Sequence, residues 1–235
     1  MTKLNVRALS AGLVTAVALF SCVSTALADD VQSNTVRLGL YSVFYHTSAD
    51  DISGPYVPPG VNLKEDNLDT LYIAYIRRLT SHFDVELTAG YPPLSKTVGV
   101  GPAALGSAPY NGQVISTARW LAPTLLLEYR FMDEASPWQP YIGAGVNHTS
   151  FYDRNSTAAG DAATGGPTKL SLTSSTGPAG TVGFVYKFAQ NWSFDASYSI
   201  ARVKTHLTAD TAGVIRTTDI SFGPQALVLA VGYSF

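Results

Sequence analysis

The chain has 235 residues, 46% of them apolar, 11% aromatic and only 14% charged, well below the roughly 25% charged share of an average soluble domain. Its 15 Lys and Arg against 17 Asp and Glu give a net charge of −2, which leaves no basic excess to neutralise a phosphate backbone and argues against a nucleic-acid partner. The 20 Gly, 13 Tyr and 10 Phe, beside 2 Met and 1 Cys, suit a β-protein with many turns better than a helical bundle.

Residues 1–28 read as a cleaved secretory signal peptide. Lys3 and Arg7 form a positive start, Ala8 to Ser21 an uncharged apolar core, and Ala26-Leu27-Ala28 a small-x-small cleavage site. Leu19-Phe20-Ser21-Cys22 loosely resembles a lipoprotein box, but the bulky Phe20 is atypical of one. Cys22 leaves with the leader, so disulfides are not expected in the exported chain, 29–235, which reads as a single domain. Loss of Lys3 and Arg7 moves its net charge from −2 to −4. Beyond residue 28 the longest uncharged run, Thr97 to Ala118, is interrupted by Gly and Pro and lacks the Leu/Ile/Val density of a spanning helix. An exported chain of this kind is either soluble or a closed β-barrel, the other structure that satisfies every backbone group in lipid.

The pattern of alternation favours the barrel. Phe83, Val85, Leu87, Ala89 and Tyr91 share one parity, and Asp84, Glu86, Thr88 and Gly90 the other, so as a strand they face opposite sides. Leu121 to Phe131, Trp192 to Ile200 and Leu227 to Phe235 repeat the pattern, with aromatic residues at ends where a membrane barrel carries its interfacial girdles. Both faces together hold too little charge for a water-exposed sandwich. Eight strands are expected, at about 35–46, 70–80, 83–94, 115–131, 138–152, 178–188, 192–206 and 216–235. Tight turns fall around Ser81-His82, Asp133 to Pro137 and Ala189 to Asn191, whereas 47–69, 95–114, 153–177 and 207–215 read as long loops. The expected fold is thus all-β: an eight-stranded antiparallel transmembrane barrel with short periplasmic turns and long extracellular loops. A barrel of eight strands holds side chains or one small ligand, which excludes a general diffusion porin.

Several segments resemble the OmpW family of small outer-membrane proteins, which includes AlkL-type uptake proteins for hydrophobic compounds. They are Arg119-Trp120-Leu121-Ala122-Pro123 leading to Glu128-Tyr129-Arg130-Phe131, the run Gln139 to Thr149 with its Pro-Tyr-x-Gly-x-Gly motif, Gly180 to Phe184 with Asn191-Trp192, and Gly223-Pro224 through Phe235. The resemblance implies an eight-stranded barrel in the outer membrane of a Gram-negative cell, among outer-membrane lipids, that binds or passively conducts small hydrophobic molecules. It also implies that the C-terminal Phe235 is read by the barrel assembly machinery.

Lumen parity assigns Trp120, Leu126, Ala226 and Val228 to the wall that such a solute would touch, in an apolar extracellular half. Glu86, Glu128, Arg130, Arg78 and Asp195 fall in a charged periplasmic half. The competing reading is a structural or surface-interaction barrel whose lumen is plugged by these same side chains.

No enzyme, metal or cofactor is expected. His148 and Ser150 share the outer face of one strand near the rim, loosely similar to the His-x-Ser arrangement of lipid A deacylases. No orienting acid can be assigned to that pair, and it reads as structural, leaving a lipid hydrolase as a minor alternative. The four His, at 46, 82, 148 and 206, lack ligand spacing. Asp50-Asp51 and Glu65-Asp66 read as solvated charges of an exposed loop rather than a calcium site. Gly99 to Gly106 lacks the terminal Lys-Ser/Thr of a phosphate-binding loop.

Overall fold

The computed structural model describes residues 33–235. The signal peptide expected over 1–28 lies outside the described residues.

Eight long antiparallel strands alternate up and down, and seven of them are interrupted at a similar level. In chain order these are β1 (Asn34–Tyr45) with β2 (Ser48–Ala49), β3 (Asn62–Glu65) with β4 (Leu68–Arg78), and β5 (Phe83–Thr88) with β6 (Leu94–Val100). A small hairpin of β7 (Ala104–Leu105) and β8 (Ala108–Pro109) precedes β9 (Val114–Leu121) and β10 (Thr124–Arg130). The fifth, β11 (Trp138–Ser156), runs unbroken and leads to a short helix, α1 (Ala158–Thr164). Then come β12 (Thr168–Leu172) with β13 (Ser175–Lys187), β14 (Trp192–Ala201) with β15 (Lys204–Thr211), and β16 (Val214–Ser221) with β17 (Pro224–Ser234).

The lower segments close on themselves in the order β1-β4-β5-β10-β11-β13-β14-β17, with β17 paired back to β1 from Thr35↔Ser234 to Tyr45↔Pro224. Closure leaves no strand edge for lipid to meet. Above this ring the ladders separate into two sheets. One is β3-β6-β9 with the upper part of β11; the other is β12-β15-β16-β2.

Side-chain alternation turns this ring inside and outside. Along β17, Ala226, Val228 and Ala230 are buried, whereas Leu227, Leu229 and Val231 are 43–46% exposed on the lipid side. Along β1, Leu38 and Leu40 face out while Arg37 faces in. The outer band ends below in a girdle that includes Phe83, Tyr129, Phe131, Trp138, Trp192 and Tyr233, in contact as edge-to-face and tilted pairs. Gly145 of the Pro-Tyr-x-Gly-x-Gly motif allows β10 and β11 to approach closely: a Cβ there would fall 1.9 Å from the Leu125 carbonyl oxygen.

The expected loops are largely strand instead. Segments 47–69, 95–114 and 153–177 supply β2, β3, β6, α1 and β12, each short enough to look like turn-rich sequence. Residues 207–215 are no loop at all. They form the tip of the β15–β16 hairpin, where Ala212 (φ 50°) and Gly213 (φ 91°) take the two left-handed positions of a two-residue turn.

Candidate functional site

Two layers fill the ring. The periplasmic layer is a network of ion pairs and phenols. Arg37 Nη1 lies 2.7 Å from Glu86 Oε2 and 3.3 Å from Asp195 Oδ2. Tyr72 donates to Glu86 Oε1 at 2.8 Å, and Tyr141 donates to Asp195 Oδ2 at 3.0 Å, its ring lying under the Arg37 guanidinium. Arg130 pairs with Asp84 and donates to Gln139 Oε1 at 2.6 Å, and Arg78 reaches both Asp84 and Glu134. Arg37, Glu128, Gln139 and Asp195 are at most 1% exposed. Charges packed this tightly close a barrel rather than line a water path.

Above the network, the lumen opens into a cavity enclosing about 1280 Å³, the part open to solvent included. All four residues assigned by parity, Trp120, Leu126, Ala226 and Val228, lie in its lining and are buried. Val43, Phe222 and Ile220 add apolar surface. The upper wall is less purely apolar than the sequence suggests, because Ser95, Thr97, Ser116, Thr124 and Thr149 also face inward. A second cavity continues above, between the two upper sheets and α1, and shares Ser116, Leu170 and Leu207 with the first.

The ladders break at several places around the wall where the strands are interrupted, and one of these breaks separates β5 and β6 from β9 and β10. Pairing of β5 with β10 ends at Thr88↔Thr124, and pairing resumes between β6 and β9 at Leu94↔Arg119. Between these points Gly90, Tyr91, Pro92 and Pro93 face Trp120 to Pro123 without pairing, and the three prolines have no N–H to offer a ladder. One side chain spans the gap in place of backbone, Arg119 donating to the Pro92 carbonyl at 3.0 Å; on the opposite edge, buried Asn147 of β11 donates to the Ala122 carbonyl at 3.3 Å and to Thr124 Oγ1 at 2.8 Å.

Glu65 was expected among solvated loop charges, but it is half-buried, with its Oε2 out of contact with solvent. Pairing of β3 with β6 turns it inward, where Thr97 Oγ1 donates to Glu65 Oε1 at 2.6 Å. Burial pushes its carboxyl up to about 7, opposed by that hydrogen bond. The residue stands above the membrane-spanning ring. With the folded value above the usual 4.5, the folded state holds the proton more tightly, so stability from this group is full in acid and is lost as pH rises from about 4.5 through about 7. Glu65→Gln is accordingly expected to raise the melting temperature at pH 8 and to leave it unchanged at pH 4, by circular dichroism in detergent.

The His148–Ser150 pair does come together at the outer rim. Ser150 Oγ lies 3.1 Å from His148 Nε2, but His148 Nδ1 is bonded to Thr176 Oγ1 at 2.8 Å, a hydroxyl where a catalytic triad places a carboxylate. Among the described residues no group of three or more His, Cys, Asp and Glu is arranged to hold a metal.

Sequence reasoning missed Arg37, Tyr72 and Tyr141. The signal was present for Arg37, because Leu38, Leu40 and Phe44 share the opposite parity in the first strand.

The OmpW family model matches residues 33–235. Outer membrane protein W of Vibrio cholerae serotype O1 is 30% identical over 200 residues, covering 85% of this chain and 87% of the relative. The crystal structure of outer membrane protein OprG from Pseudomonas aeruginosa superposes with a TM-score of 0.78 at 24% identity, covering 88% of this chain and 99% of that one. The dibenzothiophene metabolism operon protein PahQ of Pseudomonas aeruginosa is 29% identical over 123 residues, 51% of this chain and 53% of the relative. A family match running from the first described strand to Phe235, on a ring whose outside is built for lipid, gives both kinship and address: the chain belongs to the OmpW family and resides in the Gram-negative outer membrane.

Proposed function

We propose that the barrel takes up small hydrophobic molecules from the cell exterior, without energy input, and releases them sideways through its wall. The carrying observation is the combination of an apolar cavity above with a sealed ionic layer below. A solute resting on Leu126, Ala226 and Val228 meets buried charge if it moves down, whereas the unpaired stretch at Gly90 to Pro93 leads toward lipid. Release there breaks no backbone ladder between β5 and β10 and displaces a single side-chain bond, that of Arg119 to the Pro92 carbonyl. The name of the PahQ relative, which refers to the metabolism of an apolar aromatic compound, supports the same solute class.

Uptake is the test. Cells carrying the gene are expected to consume octane supplied outside faster than cells without it. Ala226→Trp, which fills the cavity, is expected to abolish the difference while folded protein, followed by heat-modifiable gel mobility, stays at the wild-type level. Equal uptake with and without the gene overturns the proposal. It would favour the second reading, a surface-interaction barrel, for which the sealed layer and the ordered upper sheets are the supporting observations. In either case we read Phe235, whose backbone pairs with Asn34 at 2.9 and 3.2 Å, as the contact offered to the assembly machinery.

A further inference from the structure

The cavity wall holds two buried polar atoms that no protein group meets at good hydrogen-bonding geometry, although hydroxyls of Tyr45 and Ser95 stand nearby: the indole N–H of Trp120 and the Oε2 of Glu65. Both residues line the same cavity, and Tyr45, also in the lining, is near both. Trp120 is 9% exposed. Buried polar atoms left unpaired are rare in native proteins, because each forfeits its bonds to water on folding. One of the two is a donor only and the other is a carboxylate oxygen. A pure hydrocarbon filling the cavity would satisfy neither.

Charge narrows the choice further. The lining contains two acidic residues, Glu65 and Glu86, and no Lys, Arg or His. Glu86 is already paired with Arg37, so an anionic head group would meet the carboxylate of Glu65 and find no free cation in the lining. A hydroxyl is the simplest neutral group that accepts from an indole N–H and donates to a carboxylate oxygen.

We infer that the lumen is built for apolar solutes carrying one hydroxyl group, held at the mouth by Trp120 and Glu65 with the chain directed down toward Leu126, Ala226 and Val228. The inference rests on the uptake reading above and refines its solute. It assigns Trp120 a role beyond apolar wall, and it brings into the site a residue, Glu65, whose sequence context resembles an exposed loop.

Equilibrium partitioning of labelled octan-1-ol, octane and octanoate into lipid nanodiscs, with and without the barrel, tests the inference. Octane is intrinsically the more hydrophobic probe, so the informative quantity is how each affinity changes on substitution. Trp120→Phe keeps the ring and removes the donor, and Glu65→Met keeps the chain length and removes the acceptor. Each is expected to weaken octan-1-ol about tenfold, the loss of one hydrogen bond, and to leave octane unchanged. Octanoate at pH 8 is expected to bind more weakly than octan-1-ol to the wild type. Substitutions that change octan-1-ol and octane equally, or change neither, overturn the inference while leaving hydrophobic uptake intact, as does octanoate binding as tightly as the alcohol. If barrel-containing discs take up none of the three above empty discs, the uptake reading fails as well. Heat-modifiable mobility of each variant confirms that the barrel is folded before it is scored.

Discussion

Arg37→Met is expected to destabilise the barrel by about 3–5 kcal/mol, the range for removing one partner of a buried ion pair. The guanidinium is 1% exposed and is shared by Glu86 and Asp195, so its loss leaves two carboxylates facing each other across a medium that solvates neither. Tyr72 and Tyr141 keep their bonds to these acids, but two phenols do not neutralise two charges. Unfolding in urea from detergent micelles or lipid vesicles measures the change. A triple variant, Arg37→Met with Glu86→Gln and Asp195→Asn, is expected to recover much of the loss, because the uncompensated charges disappear together. A single variant as stable as the wild type would mean that the network fills space without contributing electrostatically.

Leu229→Lys is expected to lower the yield of folded protein in the outer membrane more than any substitution at an exposed position of the upper sheets. Leu229 lies on the lipid face of β17, 44% exposed, and pairs with Leu40 on one side and Ala196 on the other. A lysine near the bilayer midplane costs about 2–4 kcal/mol, and here it sits on one of the two strands whose pairing closes the ring. Phe235→Ala is expected to reduce assembly too, as the contact proposed above between this residue and the assembly machinery requires. Tyr56, 90% exposed, supplies the control. Tyr110 would be a poor one: although sequence places it in a loop, it is 2% exposed and donates to the Asn62 carbonyl at 2.7 Å. Membrane fractionation distinguishes the variants, and wild-type levels of folded Leu229→Lys would reverse the assignment of faces along the last strand.

The ring was legible because lipid imposes a period of two that water does not. Leu227, Leu229, Val231, Tyr233 and Phe235 had to alternate with Val228, Ala230, Gly232 and Ser234 once one face met acyl chains, and the same constraint placed Leu126, Ala226 and Val228 inside, with Trp120 in β9 continuing the inward parity just above the ring. Above the membrane the constraint lapses. Both faces of β3, β6 and β15 meet protein or solvent, so Gly, Ser, Thr and Asp are tolerated in strands and give the composition of loops. Glu65 was misplaced for this reason: a four-residue strand beside Asp66 and Asn67 carries no readable period. The gap between β5 and β10 lay partly in view, since Pro92, Pro93 and Pro123 cannot donate to a ladder. That they fall at one height depends on register, which the sequence of a single strand does not state.

The division of the upper strands into two separate sheets has an evolutionary consequence. In a closed barrel, strand number and shear are coupled, so an insertion in any one strand must be matched around the whole circumference. The β12-β15-β16-β2 sheet and the sheet through β3, β6 and β9 are outside that circuit, and a residue added to either shifts only its immediate neighbours. The cell-surface half of the protein can therefore diversify under pressure from antibodies or phage while the ionic layer and the lipid belt keep their registers. Variation among relatives should accumulate above residues such as Thr149 and Ser175, the last pair that β11 and β13 share.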